Sequence, residues 1–81
     1  MSQNENPISI SAPATLIVVG ICERRFECKV CVYNYKMTCG VATIKNVLAN
    51  ITRECSKDGW KFSPATIVHQ GDVVWKSPSN P

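Results

Sequence analysis

Hydrophobic and polar positions change their spacing several times along this chain, and each change marks an element. Residues 15–22 (Thr-Leu-Ile-Val-Val-Gly-Ile-Cys) are apolar on both faces of an extended backbone and rich in β-branched side chains, which predicts a strand in contact on both sides. Upstream, Ile8 and Ile10 alternate with Ser9 and Ser11 until Pro13, which predicts a short edge strand or an ordered arm. After residue 22, Glu23, Arg24 and Arg25 form a polar break before a second strand over residues 26–35. The two strands therefore predict an antiparallel hairpin tipped by the Arg pair. On the second strand Phe26, Cys28, Val30 and Val32 share one face, assigned to the core. Glu27, Lys29, Cys31, Tyr33 and Tyr35 share the other, expected to be wet or interfacial because tyrosine joins an apolar ring to a polar tip.

Beyond residue 40 the period lengthens. Val41, Ile44, Val47, Leu48, Ile51 and Cys55 form one helical stripe, with Thr38 or Gly40 as the expected N-cap and Gly59 as the expected closure. Trp60 and Phe62 share a face, and Ser63-Pro64 predicts an interruption before a strand over residues 65–70. Gly71-Asp72 predicts a turn into a last strand over residues 73–76. The order β-β-α-β-β predicts an α+β domain: a mostly antiparallel four- to five-stranded sheet with one amphipathic helix packed on one face. The 81 residues suit one domain over residues 8–76, with the polar stretches 1–7 and 77–81 expected to be disordered.

One helix covers one side of a sheet. Leu16, Val18 and Cys22 can face it while Ile17, Val19 and Ile21 point away, or the reverse, and the set on the uncovered side forms an apolar patch unless Trp60, Trp75 or the N-terminal segment folds over it. Burying three such side chains contributes about 1.5–3 kcal/mol each, enough to support dimerisation or docking on a partner.

Charge changes this picture little. The net +3 is spread along the chain, with Arg24-Arg25 as its one cluster, which argues weakly for a phosphate-tracking surface. The five cysteines are an odd number. No apolar stretch follows a basic start as in a secretory signal, and no run approaches the roughly twenty apolar residues of a membrane span, so free thiols and a cytoplasmic location are expected. Cys28 and Cys31 have the gap of a zinc knuckle, yet three residues along a strand point to opposite faces. A zinc set could be drawn from Cys28, Cys31, Cys39, Cys55 and His69, but it lacks a second close pair, and core packing is expected for Cys22, Cys28 and Cys55. No metal or cofactor is expected.

There is no catalytic signature and no phosphate-cradling loop. The single histidine, His69, would need a cysteine and a carboxylate such as Asp72 or Glu54 brought to it by the fold. The expectation is a small non-enzymatic protein-binding module. Arg24, Arg25, Lys29, Tyr33, Tyr35 and Trp75 are the candidate partner contacts, and Ile17, Val19 and Ile21 the candidate dimer or sheet-face contacts. The alternative is a nucleic-acid binder that stacks bases on Tyr33 and Tyr35 while Arg24, Arg25, Lys29 and Lys36 meet phosphates. By analogy with small accessory proteins of phages and other mobile elements, an inhibitor or regulator acting on a larger protein is expected.

Overall fold

The computed structural model describes residues 8–78. The elements run β1 (Ser9–Ser11), β2 (Ala14–Arg24), β3 (Glu27–Met37), β4 (Val41–Thr43), α1 (Ile44–Ser56), β5 (Lys61–His69) and β6 (Asp72–Lys76). Four strands form an antiparallel sheet in the order β3-β2-β5-β6, while β1 and β4 pair separately. With α1 on one side of the larger sheet, the domain is α+β in the β-β-α-β-β order read from the hydrophobic pattern, with the β1-β4 ladder added. The disorder expected for residues 1–7 and 79–81 lies outside the described residues. Ser77, expected in the tail, donates its backbone N–H to the Ala65 carbonyl at 2.7 Å.

The helix begins later than its stripe suggested. Val41 matches the helical period, but it pairs with Ser11 in β4 and its side chain is exposed. Thr38 and Gly40 precede that strand, and the N-cap is Thr43, whose Oγ1 accepts the Asn46 N–H at 3.1 Å. The far end closes as expected at Gly59, whose φ of +81° suits a residue without Cβ. There the Gly59 N–H reaches the Ser56 carbonyl at 3.0 Å and the Trp60 N–H reaches the Cys55 carbonyl at 3.1 Å.

The core lies between sheet and helix. Leu16, Val18 and Cys22 of β2 meet Ile44, Val47, Ile51 and Cys55 of α1 and Phe62 and Ile67 of β5, with Ile10 and Met37 closing one end. Pro64 does not interrupt β5 as the sequence suggested. It sits where the β2–β5 register shifts between Val19 and Gly20, and such an irregularity tolerates a residue that cannot donate to the ladder. Gly20 is buried against this point. A methyl group there would lie 2.6 Å from Phe62 Cε1 and collide with the Ser63 carbonyl, so the absent side chain lets Phe62 reach the core.

Candidate functional site

Strand registry collects the apolar side chains that the helix does not cover. On β2, Ile17, Val19 and Ile21 alternate with the core set Leu16, Val18 and Cys22. Across β2–β3, Ile21 faces Val30 and Val19 faces Val32. Across β2–β5, Ile17 faces Val68, which in turn faces Val73 of β6. These residues run across all four strands as one patch, with Val30 67%, Val32 59%, Val73 52% and Ile17 40% exposed. No described segment lies over it. Ile10 is buried in the core on the opposite side, Trp75 pairs with the core residue Ile67, and Trp60 stacks with Arg24 and Lys29.

This reverses the sequence assignment of β3, in which Phe26, Cys28, Val30 and Val32 were the core face. The hairpin turns on Arg25 and Phe26, with Arg24 directly opposite Glu27, so the strand starts one residue later than hydrophobicity suggested. That register sets Lys29 beside the core residue Cys22 and Val30 beside Ile21. Cys31, Tyr33, Tyr35 and Met37 thus take the helix side and Val30 and Val32 the open side. Phe26, at the tip, is 99% exposed. Cys28 is exposed too, and is not the core residue expected.

Tyr33 and Tyr35 lie half-buried beside α1. The Tyr33 ring meets Phe62 edge-on, centroids 5.4 Å apart, and its hydroxyl sits 2.9 Å from Cys55 Sγ and 3.5 Å from Cys22 Sγ. The Tyr35 hydroxyl accepts from Asn50 Nδ2 at 2.7 Å. Both rings are therefore turned from the open face, and the base-stacking platform of a nucleic-acid binder is not formed there by these two residues.

The other candidate contacts divide between two places. Arg24 Nη2 pairs with Glu27 Oε1 at 2.8 Å, and its guanidinium lies 4.3 Å from the Trp60 ring centroid. Lys29 Nζ lies 4.7 Å from the same ring. Trp60, expected as a possible cover for the open face, instead holds two of the expected contacts together. Arg25 occupies the tip with φ +50°. Trp75 is on β6, across the sheet from β3, and does not join them.

Three thiols gather around the Tyr33 hydroxyl. Burial pushes the Cys55 thiol above its usual range. Burial, with hydrogen bonding to Cys22, does the same to Cys31. At Cys22 burial acts upward, but hydrogen bonds with Cys31, Tyr33 and Cys55 outweigh it and leave that thiol lowered. Hydrogen bonds to Cys22 and Cys55, then burial, raise the Tyr33 phenol. All five cysteines are free. Among the described residues, no three of His, Cys, Asp and Glu are grouped to hold a metal ion. Cys28 and Cys31 point to opposite faces of β3, and His69 sits opposite Leu16, about 20 Å along β2 from Cys22. An imidazole that far from the Cys22 cluster cannot activate its thiols.

Among the described residues no helix is long and apolar enough to cross a membrane. Comparison with protein-family models, with curated proteins and with solved structures found no match to this chain.

Proposed function

We propose that this chain is a non-enzymatic protein-binding module that buries the open face of its sheet against a second copy of itself. The observation that carries this reading is the four-strand apolar patch centred on Val19, Ile21, Val30 and Val32, which no described segment covers. Four strands at about 4.8 Å spacing and about 25 Å of strand length give a face that would bury on the order of 1,000 Å² between two copies. That is the low end for a specific interface, so the expected dimer is weak and concentration-dependent. Two such faces would pack as aligned sheets, with a helix on each outer side. The separation of His69 from the thiol cluster supports binding rather than catalysis as the activity. A small inhibitory or regulatory accessory would use the same face on a larger protein, and that is the alternative occupant.

Sedimentation equilibrium over a wide concentration range tests the proposal. Reversible dimerisation that is lost in Val32→Lys supports it. A monomer at every concentration would remove self-pairing and leave the larger partner.

A further inference from the structure

A second surface, adjoining the open face at Val30 and Val32, runs along the outer edge of β3. This 11-residue strand pairs only with β2 among the described residues, so the N–H and C=O groups along its other edge have no strand partner. β6, the opposite edge, has 5 residues. The helix lies closest to β5 rather than over β3, which leaves a channel between β3 and α1. Two adjoining clefts open along it. One, about 540 Å³, is lined by residues including Tyr35, Lys36, Asn46, Asn50 and Arg53. The next, about 310 Å³, lies between Tyr33, Tyr35, Ile51 and Glu54.

We propose that this channel binds an extended acidic peptide segment, which adds to β3 as a fifth antiparallel strand. The free edge supplies main-chain hydrogen bonds. A strand docked there points alternate side chains into the clefts and beside Val30 and Val32, the arrangement by which sheet edges capture peptides. Charge fixes the chemistry of the occupant. Lys36 and Arg53 line the larger cleft with no carboxylate among its lining residues. Among the described residues neither forms a salt bridge, whereas Glu54 in the adjoining cleft is already engaged by Lys57 at 3.2 Å. Lys36 shares the open side with Val30 and Val32 while Arg53 stands on α1, so two adjacent acidic residues near the peptide's amino end, pointing to opposite faces beside Tyr35 and Lys36, would meet one cation each.

The test uses an eight-residue probe, blocked at both ends, that carries two adjacent glutamates in its amino-terminal half and alternates valine with polar residues after them. Fluorescence anisotropy should show saturable binding, and amide hydrogen exchange should slow along β3 and not along β6. Affinity should fall at least tenfold for a probe N-methylated on its pairing amides, and at least tenfold for the Lys36→Glu, Arg53→Glu variant, whose fold is checked by circular dichroism. That variant should instead prefer a probe with lysine in place of glutamate. No saturable binding, binding indifferent to both changes, or protection confined to β6 would overturn the proposal. So would concentration-dependent protection of β3 without probe in the Val32→Lys variant, because a second copy would then occupy the edge rather than the open face.

Discussion

Ile21 and Val30 stand directly opposite each other on neighbouring strands, both on the side of the sheet that α1 leaves uncovered. A cross-strand apolar pair is ordinary inside a protein. Repeated across four strands and left in water, it is the feature from which the functional reading grows.

Because these side chains are exposed, polar replacements should leave the fold intact while changing what the surface does. Val30→Lys and Val32→Lys are each expected to alter unfolding free energy by less than about 0.5 kcal/mol. Together they should weaken self-association at least tenfold. Urea denaturation and sedimentation, run on the same samples, separate the two effects.

Gly20 should behave in the opposite way. Gly20→Ala sets a methyl group 2.6 Å from Phe62 Cε1, in a packed interior that can yield only by moving the ring or the β5 backbone. A loss of about 1–3 kcal/mol is expected in urea unfolding.

Removing the phenol oxygen isolates the thiol cluster. Tyr33→Phe keeps the ring against Phe62 but deletes the contacts to Cys55 and Cys22, and should cost about 0.5–1.5 kcal/mol near neutral pH. Alkali adds a second signature. Burial raises Cys55, so the folded chain keeps a proton that the unfolded chain releases, and stability should fall as pH rises from about 9 toward the folded thiol's own ionisation. Tyr33, raised by its bonds to Cys22 and Cys55, extends the decline above about pH 10, and Tyr33→Phe should remove that part.

Thiol labelling checks the inversion of β3. Cys28 and Cys39 are exposed and should react with a maleimide or disulfide reagent in the native state. Cys22 and Cys55 are buried and should react only on unfolding. Had Cys28 faced the core, it would be protected with them.

The hydrophobic pattern was enough for the fold class because β-branched alternation and the stripe through Ile44, Val47, Ile51 and Cys55 are local signals. Ile17, Val19 and Ile21 could likewise be set apart from Leu16, Val18 and Cys22 by period alone. What period cannot give is which face of one strand meets which face of its neighbour. That depends on the turn, and a two-residue turn at Arg25 and Phe26, in place of the three-residue break Glu23-Arg24-Arg25, exchanged the faces of β3. The polar residues misled for a physical reason. Lys29 and Tyr33 can occupy the helix side because one rests over Trp60 and the other reaches Cys55 with its hydroxyl, and neither partner is near in sequence. Gly20 carried a legible hint, since a glycine inside an apolar strand often marks a close approach, but the approaching Phe62 lies on a distant strand.

Methyl NMR across a concentration series asks most directly whether the open face is a recognition surface. Self-pairing predicts concentration-dependent shifts at the methyls of Ile17, Ile21, Val30, Val32 and Val73, with those of the core residues Ile51 and Ile67 unmoved. Methyl resonances of the open face that stay fixed up to millimolar protein, or shifts confined to other surfaces, would contradict it.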